Sequence, residues 1–487
     1  MAEYDLAVRG GLVATGLGTV RCDIGIRAGR IAALAERIAD AGTILDAGGL
    51  LVLPGGVDSH CHIEEVLPEG VVEESFVTAS AAAFAGGTTS VVCFVPQWKG
   101  HGVWERYQDA RRRGASGMLD HAFHQIISDP TDAVVNEELP RIVADGVRSL
   151  KVFLTYDALH LTDAEYLRVL AAARRLGCLV TVHCENYDAI NWRTAALLEA
   201  GLAAPKYHAW SRPPVVEREA THRAIALAEL VDQPIQVFHV SCAEAAAEIA
   251  AAQARGLKVW GETCPQYLVL TAADMDRSTP EDGAFEGARF MFSPAPREAA
   301  EHALVWEMIR RGVLDVVSSD HSGFSFHGPR GKRQRGAGAP FRDIPNGIPG
   351  LAARLPLLFS EGVAAGRIDL DTFVRLTATN PARLMGLFPR KGAIQIGADA
   401  DLVLWDAERR VTLTNALMQH AIDYTPYEGR EVTGWPVMTL RRGAVVMRDG
   451  VVQAEPGTGE FLPRGAYPLI APRGVLANGF DAAPPRP

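Results

Sequence analysis

The chain has 487 residues, of which 48% are apolar and 22% charged, and a formal net charge of −10. This composition is typical of a globular protein and excludes a disordered chain, and the length predicts one large domain with a smaller one, or two comparable domains. The one dense basic stretch, residues 330–335, is short, flanked by glycine and free of aromatic residues. We therefore expect a solvated loop there and no nucleic-acid partner.

The sequence favours a cytoplasmic protein without membrane contact. It begins with MAEYDLAVRG, which has no basic region followed by an apolar one, and no uninterrupted apolar run approaches the roughly 18 residues of a membrane span. The seven cysteines are scattered and form neither a CxxC pair nor a dense disulfide pattern. Reduced thiols are therefore the expected state.

The first fifty residues predict a small β module. Short alternating runs broken by glycine are typical of hairpins, and similar runs return late in the chain, where Arg442-Gly443 and Asp449-Gly450 are turn signals. The predicted strands are Tyr4 to Val8, Leu12 to Thr15, Asp23 to Arg27, Ile31 to Leu34, Asp401 to Trp405, Val437 to Arg441 and Val445 to Val452. Because distant strands can share a sheet, we predict one β-sandwich domain built from residues 1–53 and 388–465.

Between these ends, apolar runs alternate with amphipathic, alanine- and leucine-rich stretches, which predicts repeated βα units. The eight predicted strands begin at Leu51, Thr89, His121, Ser149, Cys178, Pro234, Lys258 and Asp315. With helices such as Asp163 to Leu176 and Glu244 to Arg255 between them, they indicate an α/β fold, a (β/α)8 TIM barrel over residues 54–387. The proline-rich tail, residues 466–487, has no clear periodicity, so we expect it to be disordered or to lie over a neighbour.

Candidate metal ligands lie at the ends of the predicted barrel strands. His60 and His62 follow the first strand two residues apart, and in an extended chain such residues point to the same side. An isolated His-x-His pair is only a weak sign of a metal site. However, His183 ends the fifth strand, His239 the sixth and Asp320 the eighth. Since the active-site residues of such a barrel gather at the C-terminal ends of its strands, the five side chains together predict a metal site.

Lys151 is an unusual residue for its position. It lies inside the apolar strand Ser149-Leu150-Lys151-Val152-Phe153-Leu154, where burial of an unpaired ammonium costs several kcal/mol. A buried ion pair would compensate for this cost, and so would a side chain whose head reaches the barrel rim. The nearby candidate ligands add a third interpretation, in which the neutral amine takes up carbon dioxide and the resulting carbamate bridges two metal ions.

An ordered series of motifs accompanies these candidate ligands. It consists of Gly55-Gly56-Val57-Asp58-Ser59-His60-Cys61-His62, Gly146-Val147-Arg148-Ser149-Leu150-Lys151, Thr181-Val182-His183-Cys184-Glu185-Asn186, His239-Val240-Ser241-Cys242, Gly261-Glu262-Thr263-Cys264-Pro265-Gln266-Tyr267 and Ser319-Asp320-His321. Later come Thr379-Asn380-Pro381-Ala382-Arg383, Pro389-Arg390-Lys391-Gly392 and Gly397-Ala398-Asp399-Ala400-Asp401. Over nearly the whole chain, this series resembles the cyclic amidohydrolases, and within them the dihydropyrimidinase and D-hydantoinase branch.

The resemblance implies a centre of two Zn²⁺ ions per subunit. It implies that His60, His62 and Asp320 bind one ion and that His183 and His239 bind the other. Lys151, carboxylated to N6-carboxylysine, would bridge the two ions together with a hydroxide. That hydroxide would attack the substrate carbonyl while Asp320 transfers its proton to the departing ring nitrogen.

The resemblance also implies which groups bind the substrate. Tyr156 matches a tyrosine whose hydroxyl stabilises the tetrahedral oxyanion, although a rim tyrosine that packs on the barrel is the simpler interpretation. Ser293 and Asn346 match positions whose backbone groups bind the amide and carbonyl edge of the ring. The implied reaction is hydrolysis of a hydantoin or 5,6-dihydropyrimidine ring to an N-carbamoyl amino acid, without an organic cofactor, in a homotetramer.

The remaining histidines and an acidic run have simpler interpretations. His321 is expected to point away from the side that Asp320 faces, because neighbouring residues of a strand alternate. Core or surface positions are expected for His101, His121, His124, His160 and His208. An acidic surface is expected for Glu64, Glu65, Glu73 and Glu74.

Three alternatives remain for the function. A dihydroorotase typically has an arginine two residues after the second histidine, where this chain has Glu64, so an anionic ring is disfavoured on charge grounds. An allantoinase has the same metal ligands and hydrolyses a related ureide ring. A non-catalytic scaffold relative is disfavoured because all six ligand positions are filled. Departures from the branch pattern leave the ring substituent and the preferred enantiomer open, and they occur at Cys184, Tyr187, Ser322 and residues 63–65.

Overall fold

The computed structural model describes residues 2–67, 70–71 and 73–482, and these residues form an α/β protein with four sheets. The end of the predicted tail, residues 483–487, lies outside the described residues. Within these ranges, no helix is long and apolar enough to cross a membrane.

The central sheet has nine strands, and all the neighbouring pairs are parallel. Nearly all of its residues are buried, because one side of the sheet faces the interior and the other faces the helices. In pairing order the strands are Leu314–Val317, Val259–Thr263, Ile235–Val237, Leu179–His183, Ser149–Phe153, Asp120–Ile126, Thr88–Val95, Gly56–His62 and His321–Ser322.

The sheet has one strand more than predicted because the last predicted strand is interrupted. Leu314–Val317 ends three residues before His321–Ser322, and this second short strand pairs with Gly56–His62. The two edges of the sheet are therefore consecutive in the chain. Asp320 lies in the interruption, with a left-handed backbone φ of 50°.

The prediction that the first barrel strand begins at Leu51 is wrong. Leu51–Pro54 pairs with the late strand Leu402–Thr412, and the strand of the central sheet begins at Gly56. The chain passes from one sheet to the other at Gly55, where an added Cβ would lie 2.2 Å from Oγ1 of Thr89. Only glycine allows this close approach, and an apolar run read along the sequence does not reveal it.

Helices connect most of the parallel strands. The predicted helix Asp163–Leu176 is confirmed, with Thr162 and Glu165 forming a capping box and Gly177 ending the helix at a φ of 65°. The other α-helices are Phe76–Ala85, Trp104–Gly114, Leu139–Ala144, Tyr187–Glu199, Tyr207–Ser211, Pro214–Leu230, Ala243–Ala254, Gln266–Val269, Ala300–Arg310, Arg354–Leu358, Leu370–Val374, Asn380–Leu384 and Asn415–Met418.

The two ends of the chain form two further large sheets, one from the N-terminal end and one from both ends. A four-stranded sheet has the order Arg30–Ala35, Asp23–Arg27, Tyr4–Arg9 and Ala41–Asp46. A seven-stranded sheet has the order Val451–Val452, Ala444–Arg448, Glu431–Arg441, Leu402–Thr412, Leu51–Pro54, Leu12–Ala14 and Thr19–Arg21. Residues from both chain ends, such as Ile24, Val52 and Leu404, share one apolar core.

The predicted turn at Arg442-Gly443 is confirmed by a positive φ at both residues, 48° and 76°, as a tight hairpin turn requires. The tail differs from its prediction, because residues 466–482 pack on the outside of their own chain. Tyr467 donates a hydrogen bond to the Leu384 carbonyl, and Arg473 forms an ion pair with Asp232. The described part of the tail is therefore ordered.

A buried charge cluster joins the central sheet to the seven-stranded sheet. Lys391 Nζ lies 2.5 Å from an Asp120 oxygen, 3.0 Å from Asp399 and 2.8 Å from Asp401. Burial alone would lower the pKa of Lys391, but the three carboxylates raise it above its ordinary value. The lysine is therefore charged, and it compensates for carboxylates that have little access to water.

Replacement of this cation should destabilise the protein strongly. In Lys391→Met, three buried carboxylates lose their shared partner, so we expect the free energy of unfolding to fall by about 3–5 kcal/mol. Guanidinium unfolding followed by circular dichroism measures this change. Lys99→Met, at an exposed position, is the control, and equal midpoints for the two variants would contradict the role of the cluster.

Candidate active site

The residues predicted to act in the site line a single cavity with a volume of about 440 Å³. They come from segments that are far apart in the sequence, and the cavity lies where the parallel strands end. The nine residues are His60, His62, Lys151, Tyr156, His183, His239, Ser293, Asp320 and Asn346.

His60, His62 and Asp320 form the first group of possible metal ligands. One ligand atom from each residue lies within 4.8 Å of the others. Nε2 of His60 is 2.9 Å from Oδ1 of Asp320, and Nε2 of His62 is 3.6 Å from the same oxygen. Imidazole nitrogen and carboxylate oxygen are ligands that Zn²⁺ and similar divalent ions accept.

His183, His239 and Lys151 form the second group. The ring centroids of His183 and His239 are 4.2 Å apart, and Nδ1 of His239 has no hydrogen-bond partner among the described residues. His239 also has a left-handed φ of 40°. A non-glycine residue adopts this conformation only when its surroundings compensate for the strain.

Neither simple interpretation of Lys151 fits the structure. Its side chain is fully buried, and in the described part of the chain its Nζ has no hydrogen bond. Nζ lies over aromatic rings, 4.4 Å from the centroid of Phe238 and 4.8 Å from that of Phe153. The lysine therefore neither forms a buried ion pair nor reaches water. A group bound between the two sets of ligands would give its amine a partner.

Three carboxylates to which the sequence analysis gave no role in the site orient the histidines. Oε1 of Glu262 lies 2.6 Å from Nδ1 of His60, and Oε2 of Glu185 lies 2.7 Å from Nε2 of His183. Glu65 lies 2.8 Å from Nδ1 of His62, so its assignment to an acidic surface was wrong. Such contacts fix the ring orientation and leave the other nitrogen for a metal ion.

A sequence signal for two of these carboxylates was present. Glu185 is two residues beyond His183, and Glu262 lies near the end of the strand Val259–Thr263, where functional residues gather. Both residues belong to the motifs that carry the family resemblance, but no role was predicted for either of them. Glu65 gave no such signal, because its contact with His62 depends on its left-handed neighbour Glu64, which has a φ of 49°.

Arg212 is a further residue that the sequence analysis missed. Its Nη1 donates to Oε2 of Glu185 at 2.7 Å, and its guanidinium lies 5.5 Å from the ring centroid of Tyr156. Tyr156 has a left-handed φ of 70°. One buried arginine therefore contacts both the carboxylate that holds His183 and the tyrosine predicted to act on the substrate.

The four histidines differ in charge before any metal binds. For His60 and His62, burial alone would lower the pKa, but neighbouring carboxylates raise it, to about 9 for His62 with Glu65 and Asp320. Burial lowers the pKa of His183 and His239 well below the ordinary value, and the nearby Lys151 adds to this effect. The second pair is thus neutral and ready to bind a metal ion, whereas the first must release protons.

The lysine and the tyrosine have the protonation that their proposed roles need. Burial lowers the pKa of Lys151 to about 8, so a substantial fraction of the amine is neutral near physiological pH. Burial raises the pKa of Tyr156 to about 12, so its hydroxyl keeps its proton and can donate a hydrogen bond.

The other acidic residues of the predicted surface have structural roles. Glu74 is buried and lies 2.9 Å from Nε2 of His321, and Glu73 bonds to Ser325. Glu64 accepts from the backbone N–H of Phe76 and does not line the cavity. The charge argument against an anionic substrate, which relied on Glu64, is therefore not supported.

Most of the remaining histidines lie in the core or at the surface as expected. His124 is buried with Nε2 2.9 Å from the Ser59 carbonyl, and His321 points away from the cavity. His208 is closer to the site than expected, since its Nε2 lies 3.3 Å from Oγ of Ser293. This contact fixes one of the predicted substrate-binding residues.

The loop at residues 330–335 is only partly solvated as predicted, because part of it forms a wall of the cavity. Lys332 is fully buried and donates to the carbonyls of Met291 and Pro345. Its neighbours Gln334 and Arg335 line the cavity. The basic composition of the stretch favoured exposure to solvent. The lysine is buried instead because backbone carbonyls from other parts of the chain accept its hydrogen bonds.

Comparison with known proteins places the chain in a family. The Amidohydrolase family matches residues 51–446. The D-hydantoinase of Ralstonia pickettii is 42% identical over 467 residues, which cover 95% of this chain and 99% of the relative. The D-hydantoinase of Geobacillus stearothermophilus is 40% identical, with 96% and 98% covered. The crystal structure of dihydropyrimidinase from Brevibacillus agri superposes with a TM-score of 0.90 at 38% identity, with 95% and 99% covered.

The chain therefore belongs to the amidohydrolase family. Within that family it is similar to D-hydantoinases and a dihydropyrimidinase over nearly its whole length, so the resemblance drawn from the motifs is confirmed. The family implies a binuclear metal centre, and His60, His62 and Asp320 are a candidate group for one ion. The donor types of the cavity and the isolated Lys151 fit such a centre.

The affinity of the metal-free protein for Zn²⁺ should rise with pH. A metal ion binds neutral imidazole, and the carboxylates hold the pKa of His62 at about 9 against the effect of burial, so binding must displace a proton at lower pH. We expect affinity to increase at least about tenfold per pH unit between about pH 6.5 and 8.5. Competition with a chromophoric chelator measures this change.

The variant Glu65→Gln removes one of those carboxylates and should weaken the pH dependence by about one proton. Glu36→Gln, at an exposed position, is the matched control and should behave like the unmodified protein. An affinity independent of pH would contradict the assignment of His62 as a ligand.

Proposed function

We propose that the chain, a hydrolase of the amidohydrolase family, opens a hydantoin or 5,6-dihydropyrimidine ring to give an N-carbamoyl amino acid. The main support is that one cavity is lined by all six predicted metal-binding residues together with Tyr156, Ser293 and Asn346. The similarity to D-hydantoinases over 95% of the chain is consistent with this reaction. The filled ligand positions argue against a non-catalytic scaffold.

The proposed centre contains two Zn²⁺ ions per subunit. His60, His62 and Asp320 would hold one ion, His183 and His239 the other, and Lys151 as N6-carboxylysine would bridge them. Nitrogen and oxygen donors support zinc, and the buried amine of Lys151, without a hydrogen bond in the described ranges, supports its modification. When bound, two metal ions make water nucleophilic near neutral pH and polarise the carbonyl.

The side chains of the protein supply the remaining chemistry. Asp320 would take the proton of the attacking water and give it to the departing ring nitrogen. Tyr156 would donate its hydroxyl hydrogen to the oxygen on which negative charge develops. Ser293 and Asn346 would bind the amide and carbonyl edge of the ring. Their backbone groups are proposed for this contact, and both residues line the cavity.

The domain arrangement is part of the proposal. Residues 54–387 would form a (β/α)8 TIM barrel in which Leu314–Val317 and His321–Ser322 are two parts of the eighth strand. The parallel pairing of His321–Ser322 with Gly56–His62 supports this closure. Residues 1–53 and 388–465 would form the β-sandwich domain, and residues 466–487 the tail.

The environment and assembly are proposed on separate grounds. All seven cysteines are free, which supports action in the reducing cytoplasm. Trp192 and Trp210 are 73% and 56% exposed on the neighbouring helices Tyr187–Glu199 and Tyr207–Ser211. Large exposed aromatic side chains are typical of interfaces, and this supports assembly into an oligomer, for which the family resemblance implies a homotetramer.

A substrate panel tests the function. The zinc-loaded protein would be assayed with hydantoin, 5-substituted hydantoins, dihydrouracil and allantoin, and the products identified by liquid chromatography and mass spectrometry. We expect hydantoins or dihydrouracil to yield N-carbamoyl amino acids. Hydrolysis of allantoin alone would favour an allantoinase, and no hydrolysis of any ring would contradict the proposal.

Replacement of Lys151 should abolish metal binding and activity together. Lys151→Ala removes the amine that would become the bridging carbamate, so neither ion keeps its shared ligand. Metal analysis by inductively coupled plasma mass spectrometry and the hydantoin assay measure the two effects. Lys206→Ala is the control, since that lysine forms an exposed pair with Asp276. A metal-loaded, active Lys151→Ala protein would exclude the bridging role.

A further inference from the structure

The cavity is larger than an unsubstituted ring requires. Its volume of about 440 Å³ lies within the range of roughly 300–1,000 Å³ that is usual for drug-sized ligands. A bare hydantoin or dihydrouracil would leave much of this space to water. The volume therefore indicates a substrate whose ring carries a substituent.

The charged residues at the cavity show what that substituent can carry. Outside the candidate metal centre, the described residues that line the cavity include four charged ones, and they are Glu65, Arg335, Arg342 and Asp343. Glu65 is hydrogen-bonded to His62, and Arg335 forms an ion pair with Asp343 at 3.6 Å. Arg342 has no ion pair or hydrogen bond from its side chain within the described ranges. Among the described residues of the cavity wall, one positive charge is therefore left without a partner.

Arg342 is well placed to contact a substituent. It lies four residues before Asn346, and both residues line the main cavity. The same two residues, with Tyr156, also line a smaller adjoining cavity of about 110 Å³. Arg342 therefore belongs to the same cavity wall as Asn346 and Tyr156, which are predicted to bind the ring. Glu64, the carboxylate expected to repel an anion, does not line the cavity and is hydrogen-bonded to the Phe76 N–H.

We propose that the preferred substrate carries a carboxylate on its ring substituent and that Arg342 binds this group. The proposal rests on the ring-opening function proposed above and narrows its substrate class. A single uncompensated cation matches a monoanion, and a guanidinium offers two parallel donors to the two oxygens of a carboxylate. Because Arg342 is exposed, water weakens the interaction but does not remove it.

The test compares two substrates that differ only in charge. The carboxylate 5-(2-carboxyethyl)hydantoin and its neutral amide, 5-(2-carbamoylethyl)hydantoin, have nearly the same size. We expect the unmodified enzyme to favour the carboxylate by on the order of fivefold in kcat/KM, as suits a partly exposed ion pair. The preference should come from KM, since the contact is equal in the ground and transition states, and it should decrease at high salt.

Variants of the arginine identify its contribution. Arg342→Gln should remove the preference for the carboxylate, and Arg342→Lys should retain part of it. Arg311→Gln, at an exposed position outside the cavity, is the matched control and should leave the preference intact. Equal preferences in the unmodified enzyme and Arg342→Gln would overturn the inference.

The inference and the proposed function can fail separately. If the amide is hydrolysed but Arg342→Gln does not change the preference, the ring-opening function stands and the inference is wrong. If neither compound is hydrolysed, the substrate panel decides the proposed function, and calorimetry decides the inference. Weaker binding of the carboxylate to Arg342→Gln than to the unmodified enzyme would support the inference. Equal binding to the two proteins would overturn the inference.

Discussion

The common direction of the strands in the central sheet is the constraint on which the site depends. Because all these strands are parallel, their C-terminal ends meet at one side of the sheet. Histidines that lie up to about 180 residues apart in the sequence, from His60 to His239, are thereby brought around one cavity. The interruption before His321 adds Asp320 to this group, beside the first strand. A sheet with mixed directions would place these ligands at opposite ends.

Lys151 shows how strongly this cavity differs from an ordinary core. Its amine is surrounded by the rings of Phe94, Phe153 and Phe238, and burial lowers its pKa to about 8. An amine in such surroundings loses its proton readily and can react, whereas an exposed lysine remains charged. The aromatic rings that isolate the amine would therefore prepare it for the carbamate proposed for it.

Several residues of the site have strained backbone conformations that cost free energy. Tyr156, His239 and Asp320 all have left-handed backbones, each of which costs about 1–3 kcal/mol. The hydrogen bonds that Glu262 and Glu185 accept, including the one that Arg212 donates to Glu185, together with the packing of the barrel, must offset this strain. The concentration of strained residues at one cavity is what a preorganised site would produce. The loop that contains Lys332 forms part of the cavity wall, although it contributes no predicted metal ligand.

The sequence by itself determined the strand and helix pattern, the family and the candidate ligands. Periodicity revealed Asp163–Leu176, and the five histidine and aspartate candidates lay near the ends of predicted strands. These features are local, so they can be recognised without knowing what packs against them. Only the tertiary structure decided that Leu51–Pro54 belongs to another sheet, that Glu65 holds His62 and that Lys332 is buried. Each of these depends on a partner far along the chain or on a single left-handed residue, and neither leaves a periodic signal in the sequence.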